Sequence, residues 1–167
     1  LTVDLTHLRS RQSSPSFKII GNLPYSISSP ILQHLTHHVD VIDQAVVMLQ
    51  SEVADRIIAE PGNRKYGVLT LMIQYYFRPQ ILFSIPPHAF KPQPKVHSKV
   101  IRLCPHSNRA LQLHDESRFF RFIKKAFSQK RKTLKNCLKG MPRYPQDRLR
   151  FLLHELHYPP NVRAEEI

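Results

Sequence analysis

FKIIGNLPYS, residues 17–26, is the stretch on which the fold turns. Its first four residues, Phe17 to Ile20, read as a buried strand, and a helix cannot run on through Gly21 to Pro24. Gly21 lets the backbone turn or come close to something. Pro24 fixes its own φ, offers no N–H, and pushes Leu23 into an extended conformation. An amide, Asn22, and a phenol, Tyr25, are therefore held on a stiff loop where a strand ends. In α/β proteins ligands sit at such strand ends.

Outward from this loop the pattern alternates. Residues 1–16 are polar and close on a Ser-rich run, which reads as a connector. Pro30 to His38 reads as a helix, with Ser28 or Ser29 as cap and Pro30 in its first turn. The apolar run Ala45 to Leu49, within Asp43 to Gln50, predicts a strand buried on both faces. Ser51 to Glu60 predicts a helix capped by Ser51, with Glu52 and Asp55 near its start favouring the dipole. Pro61-Gly62-Asn63 stops it. Gly67 to Phe77 is long enough to favour helix over strand. Gln80–Pro86 and Lys95–Leu103 read as strands, the second with Val96, Ser98, Val100 and Arg102 on one face. This is the order of an α/β sheet. Beyond Cys104-Pro105-His106 the chain turns helical, basic and proline-interrupted, from Glu116 to Tyr158. Two domains are expected: an α/β part over 1–106 and a small all-α part over 107–167.

At 167 residues and 41% hydrophobic, the chain has the makings of a globular core, and no apolar run suits a bilayer span. Cys104 and Cys137 match no metal or redox spacing, so a reduced, cytoplasmic setting is expected. His34 and His38 share a helix face but have no obvious third ligand, so no metal is expected. Lys and Arg total 25 against 12 acids, a net charge of +13. That excess points to a polyanion, most often nucleic acid, rather than to a merely solvated basic surface. Its distribution carries the point: from Arg118 to Arg150 there are twelve Lys and Arg residues and one acid, Asp147. Phe119, Phe120, Phe122, Ile123 and Phe127 form the apolar stripe of a helix and read as core. Arg118, Arg121, Lys124 and Lys125 lie largely on its other side, followed by Lys130, Arg131, Lys132 and Lys135. Contacts to RNA backbone and shape, not base readout, are expected of them.

Asn22-Leu23-Pro24-Tyr25 has the Asn/Asp/Ser-Pro-Pro-aromatic form used to methylate exocyclic amino groups, with leucine in place of the first proline. An aromatic amine is a poor nucleophile because its lone pair is delocalised into the ring. Two acceptors aimed at its N–H bonds orient it and stabilise the developing positive charge; the Asn22 amide oxygen and a backbone carbonyl freed by proline can supply them. Tyr25 offers a face for a flipped-out base. A second proline-stiffened loop, Phe90 to Ser98 (FKPQPKVHS), feeds a strand, and Phe90 can complete a sandwich around that base. The four glycines, at 21, 62, 67 and 140, form no phosphate-cradling loop.

GNLPYSIS (21–28), MLQSEVADRIIAEPG (48–62), KYGVLTLMIQYYF (65–77), PPHAFKPQPKVHS (86–98) and AFSQKRKTLKN (126–136) run in one order along the chain. In them the sequence resembles the ribosomal RNA adenine N6,N6-dimethyltransferases. The resemblance implies a Rossmann-like S-adenosylmethionine-dependent methyltransferase sheet, of which this would be the C-terminal, target-base part, plus a helical rRNA-holding domain. It implies methyl transfer from S-adenosylmethionine to N6 of two adjacent adenines in small-subunit rRNA, with the pre-ribosomal small subunit as partner. On the matching positions, Asn22 and the Leu23 carbonyl hold the amine, Tyr25 and Phe90 stack on the adenine, and Asn22 and Pro24 border the cofactor. Lys130-Arg131-Lys132 stands where the family has Arg-Arg-Lys, which keeps the charge but loses one fork-shaped donor. The family's E-x-G-x-G-x-G loop and ribose-binding acid precede its NLPY motif and have no counterpart here. The chain is therefore expected to begin after the cofactor half, to bind S-adenosylmethionine weakly or not at all, and not to turn over alone. Two alternatives stand beside this reading: a non-catalytic RNA-binding or ribosome-assembly protein, and an adenine-N6 methylase of large-subunit rRNA or DNA.

Overall fold

The structure is a computed structural model and describes residues 4–10, 16–107, 113–142 and 144–167. The connector expected over 1–16 and the domain junction near 107 fall partly outside them. Two compact units divide the chain: Leu1–Ile58 with Leu69–Ala110, and Ala59–Val68 with Leu111–Ile167. Residues 59–68, grouped by sequence with the sheet, thus belong to the helical unit. There the Gly62 N–H donates to the Glu165 carbonyl at 2.6 Å, and the Tyr66 ring lies 6.1 Å from that of Phe127.

In the first unit, α1 (Leu5–Ser10) replaces part of the expected connector, its start fixed by Asp4, whose carboxylate accepts from the N–H groups of Thr6 and His7. Then come β1 (Phe17–Asn22), α2 (Ser28–His37), β2 (Ile42–Gln50), α3 (Ser51–Ile57), α4 (Val68–Tyr76), β3 (Phe77–Ile85) and β4 (Ser98–Pro105). The four strands lie in the order β1-β2-β4-β3. β1 and β2 are parallel, joined through α2, while β4 runs antiparallel to both β2 and β3. Ala45, Val47 and Leu49 of β2 and Ile101 and Leu103 of β4 are wholly buried, as central strands require.

Several expectations shift. β1 is not buried: it is an edge of this sheet, alternates half-buried with exposed residues, and leaves Ile20 86% exposed. The other face of β2, with Val46 and Met48, is only half-buried. Neither serine caps its helix. Ser28 is the first residue of α2 and donates its hydroxyl to the Tyr25 carbonyl, and Ser51 starts α3 with its N–H given to the His97 carbonyl. Asp55 lies past the first turn of α3 and takes Lys99 of β4 at 2.5 Å, so it ties helix to sheet instead of serving the dipole. α3 ends early, at Ile57, and α4 completes that end: Thr70 donates to the Arg56 carbonyl and Gln74 to that of Ile57. β3 starts at Phe77 and tolerates Pro79 because it is an edge strand. β4 starts only at Ser98, because both neighbours stop there: Ser98 pairs with Gln50, the last residue of β2, and with Ile85, the last of β3.

In the second unit, α5 (Glu116–Ala126), α6 (Leu134–Cys137) and α7 (Gln146–Glu155) close on Ala126, Leu134, Leu138, Leu149, Leu153 and Val162. Ile123 is buried, and Phe122 and Phe127 pack on this core as that stripe predicts, while Phe119 and Phe120 are only half-buried, with their rings 5.2 Å apart. Among the described residues no helix is long and apolar enough to cross a membrane.

His38, at the end of α2, carries a pH consequence. Its imidazole is half-buried, with Thr6 Oγ1 at 3.3 Å, the Asp4 carboxylate at 3.8 Å and the His34 ring at 4.6 Å. Burial first, and then the charge of His34, lower its pKa below 6.5 despite the opposing pull of Asp4. The unfolded chain therefore takes up this proton at higher pH than the folded one. The contribution to stability is present above about pH 6.5 and is lost as pH falls through the folded value. Urea unfolding between pH 7.5 and 5 (chosen to bracket the ordinary histidine range) should show a fall in stability that His38→Gln makes shallower; parallel curves would contradict it.

Candidate target-base site

Asn22 is the last residue of β1, and the parallel ladder continues one step past it: the Leu23 N–H donates to the Met48 carbonyl at 3.1 Å. This bond and the burial of the Leu23 side chain anchor the loop from below. Pro24 then turns the chain with φ −57° and ψ 130°, and Tyr25 opens a single helical turn closed by the Ile27 N–H on the Pro24 carbonyl. Gly21 does less than its position suggests. It holds no left-handed conformation, and a Cβ there would meet Leu23 Cδ2 at an ordinary 3.5 Å.

Because β4 is antiparallel to β2, its first residue comes to the sheet end where β1 and β2 finish. Ser98 pairs with Gln50, two residues beyond the Met48 that faces Asn22. The Tyr25 hydroxyl and the fully buried Ser98 hydroxyl lie 2.6 Å apart. This bond fixes the phenol and, through its rigid ring, the orientation of the aromatic face. The loop between β3 and β4 folds over the same end and brings Phe90 and Lys91.

Asn22, Leu23, Pro24, Tyr25, Met48, Phe90, Lys91, Pro92 and Pro94 line one open pocket of about 300 Å³, the low end of the size of small-ligand sites. The two proline-stiffened loops, 65 residues apart at Tyr25 and Phe90, thus meet in one place. Asn22 and Pro24 are exposed at its rim and Tyr25 and Phe90 half-buried in its wall. Met48 and Ser98 do not stand out in the sequence as site residues. Met48 hides within an ordinary strand pattern, and the hydroxyl pair of Ser98 is a long-range contact that no local spacing encodes. Among the described residues the pocket's lining holds neither a carboxylate nor a glycine-rich turn for the ribose and amino acid of S-adenosylmethionine. These lining residues do not by themselves fit S-adenosylmethionine.

The basic residues lie in the helical unit. Arg118, Arg121, Lys124, Lys125, Lys130, Arg131 and Lys132 are exposed and Lys135 is half-buried. Lys130 to Lys132 form the turn before α6, which Thr133 caps by accepting from the Asn136 N–H. Among the described residues no cluster of His, Cys, Asp and Glu suits a metal ion.

A Rossmann-like sheet with an open pocket at its strand ends is the architecture these elements make. A crystal structure of a dimethyladenosine transferase from Plasmodium falciparum matches 94% of this chain and 64% of that one, with TM-score 0.74 and 26% identity. The fold is shared too with the 23S rRNA methyltransferase ErmE, at TM-score 0.66 and 24% identity over 93% of this chain. The model of the ribosomal RNA adenine dimethylase family matches residues 2–163, and the chain belongs to that family. Its relatives include the ribosomal RNA small subunit methyltransferase A of Hydrogenovibrio crunogenus, 43% identical over 96% of this chain and 58% of that protein. That of Acinetobacter baylyi is 45% identical over 84% of this chain and 51% of that protein. The chain thus spans about half the length of the curated relatives it matches.

Tyr25→Phe should leave the Ser98 hydroxyl buried without its partner and cost about 1–2 kcal/mol in urea unfolding. Adding Ser98→Ala should recover part of that loss. A Tyr25→Phe protein as stable as the parent would show that the hydroxyl pair is not formed in solution.

Proposed function

We propose that the pocket at 22–25 and 90–94 receives a flipped-out adenine of small-subunit rRNA for methylation at N6, as the acceptor half of a dimethyltransferase site. The observation that carries this reading is the meeting of the Asn22 loop and the Phe90 loop in one pocket at the strand ends. Tyr25 and Phe90 offer aromatic faces to a base. The Asn22 amide oxygen and the Leu23 carbonyl, which precedes a residue without an N–H, accept the two N–H bonds of the amine. Held so, the amine keeps its lone pair aimed out of the ring plane, and its acceptors stabilise positive charge as it is alkylated. No strong base is needed, because the alkylated nitrogen is acidic and loses its proton to water. The site works by proximity and orientation.

S-adenosylmethionine is the methyl donor proposed. Asn22 and Pro24 would border it, and its main holding groups are to be sought in the part of the relatives' length that this chain does not span. The basic helical unit, with Arg118, Arg121, Lys124, Lys125 and Lys130 to Lys135, would hold the rRNA. The names of the relatives, each a small-subunit rRNA methyltransferase, support this substrate over large-subunit rRNA or DNA.

A chimera in which this chain replaces the matching part of the H. crunogenus enzyme tests the reading. Asn22→Ala in that chimera should lower adenine methylation about 100-fold or more while RNA binding stays unchanged; undiminished methylation would refute the assigned role. Calorimetric titration of the chain by itself with S-adenosylmethionine should show no saturation. Clear saturable binding would mean that a donor site exists within these residues.

A further inference from the structure

The helical unit has a pocket of its own. It measures about 380 Å³ and is lined by Asp115, Arg118, Arg121, Met141, Pro142 and Tyr144. Its chemistry is divided. On one side stands α5, which carries Arg118 and Arg121 one helical turn apart. On the other is a turn bearing a thioether, a proline ring and a phenol. Gly140, at φ +82°, lets the chain leave α6 for that turn, and the Tyr144 N–H closes it on the Met141 carbonyl at 3.0 Å. Tyr144 is half-buried and propped by the Phe122 ring at 4.9 Å, which itself packs on the core. Its ring is therefore set in place before anything binds. The one carboxylate among the described lining residues, Asp115, is turned to its own helix and accepts from the Arg118 N–H at 2.8 Å.

We propose that this pocket holds one unpaired nucleotide of RNA, its base against Tyr144, Met141 and Pro142 and its phosphate on Arg118 and Arg121. A fixed aromatic face beside cationic side chains is the combination that binds single-stranded nucleic acid, where the base supplies a π-face and the backbone supplies charge. A paired base shows no free face, so the occupant is an unpaired one. The exposed Lys124 and Lys125, one turn further along α5, continue the cationic side for a neighbouring phosphate. The helical unit thus does more than the contact to backbone and shape that its charge alone predicts. This site is separate from the adenine pocket and stands or falls apart from it.

The test is fluorescence anisotropy of the whole chain with a short labelled single-stranded oligoribonucleotide, the same strand carrying abasic residues, and a duplex. The base-bearing strand should bind about tenfold more tightly than the abasic one. Tyr144→Leu should abolish that preference and leave the salt dependence as it was, while Tyr144→Phe keeps both. Arg118→Gln with Arg121→Gln should instead flatten the salt dependence, as expected when phosphate contacts are lost. Equal binding of the base-bearing and abasic strands, or a preference that disappears with Tyr25→Ala and survives Tyr144→Leu, would overturn the proposal. Should Tyr144→Leu fail to fold, photo-crosslinking of a 5-iodouridine strand to the parent protein decides. Adducts at Met141, Pro142 or Tyr144 support the site, and adducts confined to Tyr25 and Phe90 refute it.

Discussion

Met48 has a neighbour on each side, and the proposed target-base site depends on that arrangement. On one side it faces Asn22 in a parallel pair, and its carbonyl takes the Leu23 N–H. On the other it faces Val100 in an antiparallel pair. Parallel pairing makes β1 and β2 finish together, and antiparallel pairing makes β4 begin where they finish. Three backbone segments distant in sequence are thereby delivered to one end of the sheet. The alternation of residues along a strand adds a second constraint: a slip of one residue in either pairing would turn every side chain to the opposite face. Asn22, Ser98 and the aromatic rings beside them are thus positioned by the ladder before any side-chain contact is made.

On that base the prolines set the stiffness. Pro24 follows a residue whose N–H is already bonded into the ladder. Pro92 and Pro94 stand in a loop that has no ladder of its own until Ser98. Restricting such a loop lowers the entropy it would lose on closing around a ligand. The Tyr25–Ser98 hydroxyl bond adds orientation to stiffness. A phenol tied at its oxygen presents its ring face while the polar end is already satisfied by a buried partner.

Much of this is legible in the sequence. The loop after β1, the apolar run of β2 and the helical, basic character of the last third follow from local pattern, and each stands in the structure. Asn22, Leu23, Tyr25 and Phe90 can be named from the two loop motifs, and they share a pocket. What local pattern does not carry is set by tertiary contact. Ile20 reads as core but lies exposed, because no described element packs on its face of β1. Ser28 and Ser51 read as caps, but other backbone groups claim them and each becomes the first residue of its helix. Asp55 reads as a dipole partner until Lys99 arrives from a strand 44 residues away. The segment 59–68 reads as a helix end and its stop, while its Gly62 N–H is claimed by Glu165 near the far end of the chain.

The central claim is that the Asn22 loop and the Phe90 loop form one adenine-holding site. It is tested most directly by following side-chain resonances as a short adenine-containing oligoribonucleotide is added. The Asn22 amide protons and the ring protons of Tyr25 and Phe90 should shift together with one common affinity. Substituting purine riboside, which lacks the 6-amino group, should remove the Asn22 shift and keep those of the rings. Shifts that leave Asn22, Tyr25 and Phe90 untouched while the RNA binds would contradict it.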